Sequence, residues 1–276
     1  MKAKKHMRNT GTNIKITVNN ITVSYTDEGP ENAAVIIFIH GFPFSKEMWN
    51  KQIDELKGKF RVIAYDVRGH GNSWSGTDDF SIELFVKDLL SLMDTLEIEK
   101  TALCGLSMGG YIALNAIENH PHRFDSLILC DTSCSADSPE AKEKRMKAIE
   151  GIWENGIEKF ADDSIKNFFA SVSFIKKKDV IAGVREIMIG TTEKSVIRTL
   201  LALSNRKETC TTLWKIKVPV LILVGEEDKI TPPEAAQFMH EEINGSVMSV
   251  IENAGHLSNL ENPDQFNQQL KRFLKK

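Results

Sequence analysis

Gly105-Leu106-Ser107-Met108-Gly109 sets a serine between two glycines, each two positions away. The pattern G-x-S-x-G arises often by chance, so its surroundings decide its weight. It directly follows the apolar run TALC (Thr101 to Cys104) and opens the amphipathic stretch MGGYIALNAIENH. A serine on so sharp a strand-to-helix turn occupies strained backbone, and neighbours without a Cβ avoid collisions there. Gly105 and Gly109 meet that need, and Gly110 lets the helix approach a neighbouring strand. At a helix N-terminus, Ser107 also faces the positive end of the macrodipole, which favours a developing oxyanion. The chemistry this implies is nucleophilic attack on an acyl carbon.

A serine hydroxyl attacks only when a positioned base takes its proton. Of seven histidines, His256 is best placed: Asn253-Ala254-Gly255-His256 lies between the last strand-like run and the final helical stretch. His6 falls in the N-terminal leader, His120 and His122 flank Pro121 at a helix end, and His240 lies inside a helix. The base needs an acid to fix its tautomer and stabilise the imidazolium. Asp228 follows the run VLILV within Gly225-Glu226-Glu227-Asp228, which gives the chain order Ser, Asp, His. Glu226, Glu227 and Asp131 remain alternatives by position. Oxyanion donors are expected from the backbone N–H groups of Met108, after the nucleophile, and Phe42, in His40-Gly41-Phe42-Pro43 after VIIFI. His40 reads as a hydrogen bonder that holds this loop.

These residues need a scaffold. IKITV (Ile14 to Val18) and ITVSY (Ile21 to Tyr25), joined by Asn19-Asn20, predict an antiparallel hairpin. Continuous β-branched runs follow at 35–39, 61–65, 101–104, 126–130, 220–224 and 246–251, and such runs suit strands covered on both faces. Helical stretches at 46–56, 81–96, 107–119, 233–243 and 263–274 alternate with them, predicting a mostly parallel sheet flanked by helices. The rhythm breaks over 133–206, where charge-flecked helical segments form an insertion. Its apolar residues, among them Ile152, Trp153, Phe160, Ile165, Phe168, Phe169, Phe174 and Ile175, predict a small helical core with some substrate-lining positions. The organisation is a loose leader at 1–12, a core at 13–132 and 207–276, and the insertion between.

A formal net charge of −3 with dispersed Lys and Arg leaves no electrostatic footprint for nucleic acid. The basic N-terminus lacks the apolar stretch of a signal peptide, and no run approaches the ~18 apolar residues of a membrane span. The four cysteines show neither CxxC spacing nor a dense framework. Cys104 and Cys130, ending apolar runs, read as inert buried thiols, and a reduced cytoplasmic setting is expected.

HGFPFS at 40–45, DVRGHGNS at 66–73, GLSMGG at 105–110, GEEDKITP at 225–232 and NAGHLSNLENP at 253–263 together resemble the successive signatures of the alpha/beta-hydrolase superfamily. Within it the sequence is most similar to small cap-bearing bacterial carboxylesterases related to 3-oxoadipate enol-lactonases. The resemblance implies an eight-stranded alpha/beta-hydrolase fold, a helical cap inserted after the sixth strand, no cofactor and no metal. It also implies that Asp66, Arg68, His70 and Ser73 hold a loop beside the site. Serine at 107 argues against the dehalogenases and epoxide hydrolases of this fold, which use Asp there. No insertion residue is assignable to the acid group of an enol-lactone. The expected function is hydrolysis of small carboxylic esters through an acyl-enzyme by a monomer or homodimer, with Phe42, Phe44, Trp74 and Trp153 making an apolar entrance for short or medium esters. The alternatives are a lactonase, a C–C bond hydrolase, a cofactor-free perhydrolase, or a receptor that retains the fold.

Overall fold

The structure is a computed structural model and describes residues 8–275. Eight strands, β1 (Gly11–Val18), β2 (Ile21–Glu28), β3 (Val35–Ile39), β4 (Arg61–Tyr65), β5 (Thr101–Leu106), β6 (Phe124–Cys130), β7 (Val220–Gly225) and β8 (Val247–Ile251), form one sheet. Its order is β1-β2-β4-β3-β5-β6-β7-β8. The β1–β2 and β2–β4 pairs are antiparallel, and every pair from β4 to β8 is parallel. Each strand-like run in the sequence corresponds to one of these strands. The helices are α1 (Asn50–Leu56), α2 (Ile82–Thr95), α3 (Met108–Asn119), α4 (Pro139–Phe168), α5 (Ser173–Lys176), α6 (Lys178–Ile189), α7 (Glu193–Ser204), α8 (Pro233–Glu242), α9 (Ser258–Glu261) and α10 (Pro263–Leu274).

Side chains alternate across a pleated strand, so each parallel strand supplies both layers of core. Ile37 and Ile39 of β3 join the layer that contains Phe85 and Leu89 of α2, Ile112 and Leu114 of α3, and Met239 of α8. Ile36 and Phe38 face the opposite layer, with Ile53 of α1 and Phe266 and Leu270 of α10. Both faces are therefore dry, which explains the unbroken apolar runs. Helices α4 to α7 lie between β6 and β7. Ile149, Ile152, Val196 and Leu200 make a small core of their own, whereas Ile165, Phe168, Phe169, Val184 and Met188 merge with the α1/α10 layer. Phe174 and Ile175, by contrast, are exposed.

Two expectations need correction. Residues 1–7, including His6, lie outside the described residues, but 8–12 are not a loose leader. β1 begins at Gly11, and the Arg8 guanidinium pairs with the buried Asp27 carboxylate, which also accepts from Arg61. An interior carboxylate recruits cations wherever the chain can deliver them. The second concerns the cysteines. Cys104 and Cys130 are free and buried on adjacent strands, but Cys134 and Cys210 form a disulfide. Their separation of 76 residues hides the pairing from any local spacing rule. Among the described residues, no helix is long and apolar enough to cross a membrane.

Thiol titration of the denatured protein without reductant is expected to count two cysteines, rising to four after reduction. Because the bond closes a long loop, reduction should remove roughly 4 kcal/mol of stability on the chain-entropy account, read as a lower thermal midpoint. Four reactive thiols before reduction would show Cys134 and Cys210 to be unbonded.

Candidate active site

Ser107 stands between the end of β5 and the start of α3 with φ 54° and ψ −113°, a left-handed backbone unusual for a residue with a Cβ. The turn closes only because its neighbours are bare. A Cβ on Gly105 would fall 2.2 Å from the Gly109 carbonyl oxygen, and one on Gly109 would fall 2.2 Å from that of Ile39. The end of β6 and the segment after it clamp the turn from its other side: Ser107 N–H donates to the Cys130 carbonyl at 2.9 Å, and the Thr132 hydroxyl donates to the Ser107 carbonyl at 2.8 Å. Met108 is the first residue of α3, so its N–H lies at the open end of the helix. Gly41 packs against Ser107, which brings Phe42 to the same spot. His40 holds that loop: its Nδ1 donates to the Gly41 carbonyl while its Nε2 accepts from Val67 N–H at 2.9 Å, and burial lowers its pKa.

His256 arrives from the loop after β8. Its Nε2 is 2.9 Å from Ser107 Oγ, and its Nδ1 is 2.9 and 3.0 Å from the two oxygens of Asp228, from the loop after β7. Asp228 also accepts from the N–H groups of Ile230 and Thr231 and from the Thr231 hydroxyl. Burial opposes its ionisation, but the imidazole and these donors prevail, holding the carboxyl below its usual range. The three alternative acids are engaged elsewhere. Glu226 accepts from Asn253 N–H, Glu227 from Ser171 N–H, and Asp131 from Gly225 N–H and the Ser258 hydroxyl. Burial and the nearby charge of Asp228 push Asp131 well up.

A cavity of about 560 Å³ opens over Ser107 and His256. Phe42 lines it, but Phe44, Trp74 and Trp153 do not, correcting the expected entrance. Phe44 is a core residue packed edge-on against Phe168 at 5.1 Å. Trp74 is exposed beside β2, where its N–H donates to the Thr22 carbonyl. Trp153 is also exposed, because α4 turns Ile149 and Ile152 inward and leaves the next position facing out. The walls come instead from Tyr111, Phe160, Phe168, Leu200 and Leu203, with four cations, Lys144, Arg145, Arg206 and Lys229, against one carboxylate, Asp137. Asp137 is shared by the guanidinium groups of Arg145 and Arg206, which overcome its burial and lower its pKa. Arg206 lies over the Tyr111 ring at 4.3 Å, and its buried Nε has no partner among the described residues. Among the described residues, no group of three or more His, Cys, Asp and Glu side chains is placed to hold a metal ion.

Residues 34–263 match the family model of the alpha/beta hydrolase fold. The chain belongs to the alpha/beta-hydrolase family. This alpha/beta hydrolase is 30% identical over 254 residues to 3-oxoadipate enol-lactonase 1 of Acinetobacter baylyi, covering 92% of the chain and 93% of that protein. It superposes on a thermophilic esterase from Thermogutta terrifontis with a TM-score of 0.90 at 33% identity, covering 95% and 97% of the two chains. With the enol-lactonase from Burkholderia xenovorans the TM-score is 0.89 at 28% identity, covering 95% and 100%.

Several residues of the candidate site escape sequence reasoning. Thr231 had a local signal: a loop Asp accepting from N–H groups two and three residues on is an Asx-type turn. Arg145, Arg206 and Asp137 had none, because their convergence depends on how the inserted helices pack. Glu261, five residues beyond His256 and buried, accepts from Gly255 N–H at 2.7 Å, Ala170 N–H at 2.8 Å and the Ser173 hydroxyl at 2.6 Å. It thereby ties the His256 loop to the segment after α4. His256 N–H donates to the Phe168 carbonyl at 2.9 Å, and the two rings stack at 6.0 Å, in line with this tie. Burial pushes the Glu261 carboxyl up despite the bonds it accepts.

An amide at 261 offers one acceptor oxygen where three donors converge. Glu261→Gln should therefore lose about 1–3 kcal/mol for a buried donor left unmatched, measured as a lower urea midpoint at unchanged m-value. A midpoint equal to the wild type would show that the clasp carries no stability.

Proposed function

We propose that this alpha/beta hydrolase is a serine carboxylesterase that cleaves small esters through an acyl-enzyme. The observation that carries the reading is the unbroken chain from Ser107 Oγ to His256 Nε2, and from Nδ1 to Asp228, inside one cavity. Ser107 Oγ attacks the substrate carbonyl as His256 Nε2 takes its proton. The oxyanion forms toward the N–H groups of Phe42 and Met108, where fixed donors require no reorganisation. His256 then gives the proton to the departing alcohol, leaving Ser107 acylated. Water attacks the acyl carbon with its proton passing to Nε2, and the acid leaves as Ser107 recovers its hydrogen. Asp228, held ionised by its partners, keeps Nδ1 protonated and stabilises the imidazolium in both halves.

The helices between β6 and β7 act as the cap over this site. A specific observation favours a second reading, hydrolysis of a lactone that carries an acid group. Four cations line the cavity against one carboxylate, and the buried Arg206 Nε has no partner among the described residues. The enol-lactonase relatives agree with it. Either way the partner is a small molecule met by a monomer or a homodimer, without cofactor or metal. The expected cytoplasmic setting loses its support from reduced cysteines, since Cys134 and Cys210 are bonded.

Graded p-nitrophenyl esters should be turned over many times per protein molecule. Release of about one equivalent and no more would favour a receptor with a vestigial site. Ser107→Ala should reduce kcat by about 10⁴-fold or more with the circular dichroism spectrum unchanged. Activity near the wild-type level in that variant would exclude Ser107 as the nucleophile.

A further inference from the structure

The cavity over Ser107 has a neighbour. On the outer side of α4, a groove of about 310 Å³ is lined by Gly151, Asn155, Lys159 and Asp163. It sits in the bend of that helix, where Gly156 leaves helical geometry at φ 79° and ψ 176°. Ala148, Phe160, Ser164 and Asn167 line both spaces and therefore form the wall between them. Three of these four are small or polar, so the one bulky apolar part of the wall is the Phe160 ring. That ring lies 6.3 Å from the ring of Phe42 and packs against both the small core of the inserted helices and the α1/α10 layer.

We propose that Phe160 is a specificity-determining residue that sets the upper limit of acyl-chain length by closing the catalytic cavity off from the groove in the bend of α4. The inference rests on the esterase reading and deepens it. With the ring in place, an acyl tail must fit within the inner cavity. Removing the ring joins the two spaces, and the tail of a medium-chain ester extends across Ala148 and Ser164 into the groove. Discrimination by an apolar wall amounts to a roughly tenfold to two-hundredfold effect per methylene, so a modest change in wall volume is measurable.

The test is the ratio of kcat/KM for p-nitrophenyl octanoate to that for p-nitrophenyl acetate. A ratio cancels any general loss from loosening Phe42. Phe160→Ala should raise it about tenfold or more, and Phe160→Val, a milder truncation, should raise it less and serves if the alanine variant does not fold. Gly151 lines the groove, and a Cβ there would meet nothing within 4 Å. Adding Gly151→Leu to Phe160→Ala should refill the groove and return the ratio toward the wild-type value. An unchanged ratio in both truncations, with ester turnover retained, would overturn the proposal. A raised ratio that Gly151→Leu does not reverse would overturn the assignment of the groove as the place for the tail. A wild-type protein inactive on every chain length would instead defeat the esterase reading itself.

Discussion

A residue with a Cβ held at φ 54° is strained by steric contact with its own backbone. Ser107 keeps that geometry because Cys130, at the end of β6, fixes its N–H and Thr132, just beyond, fixes its carbonyl, while Gly105 and Gly109 leave no atoms in the way. The result is a hydroxyl lifted clear of the sheet at the C-terminal ends of the parallel strands, where ligands bind in open α/β sheets. Asp228 and His256 reach the same edge from β7 and β8. Serine and histidine are 149 positions apart along the chain yet 2.9 Å apart in space. Strand order, not sequence proximity, creates the site.

Two buried carboxyl groups near that edge are shifted in opposite directions. Asp228 and Asp131 feel one another's charge, and burial disfavours ionisation of both. Asp228 has an imidazole and three hydrogen-bond donors around it, so it stays ionised. Asp131 has only a backbone N–H and the Ser258 hydroxyl, and it faces the added charge of Glu261. Environments that drive the pKa values of neighbouring carboxyls apart also separate their duties. Asp228 orients the histidine, and Asp131 ties the ends of β6 and β7 to the start of α9.

The inserted helices are part separate cluster and part main core. Their outer half rests on its own small cluster, whereas the segment ending α4 merges with the main core and is clasped to the His256 loop by Glu261. The Cys134–Cys210 bond joins the two points where this insertion leaves and re-enters the sheet. Arg206 adds a second tie at the same root, donating to the Ser135 carbonyl and sharing Asp137 with Arg145. The charged wall of the cavity is thus built from the residues that anchor the insertion.

By itself the sequence determined what short stretches of chain decide. Dry strands must be apolar throughout, a helix must be amphipathic, and a strained turn must be flanked by glycine, so the strands, α3 and Ser107 are legible from residue types alone. His256 followed from its loop between the last strand and the last helix. Asp228 was read from its loop after β7 and the order Ser, Asp, His, but only the tertiary structure shows that its oxygens face His256 while those of Asp131, Glu226 and Glu227 are bonded elsewhere. Tertiary structure alone exchanged Phe44, Trp74 and Trp153 for Tyr111, Phe160, Phe168 and the cations, and paired Cys134 with Cys210. A side chain's type shows that it must be covered or solvated. What covers it depends on how separate elements pack, and no local pattern carries that information.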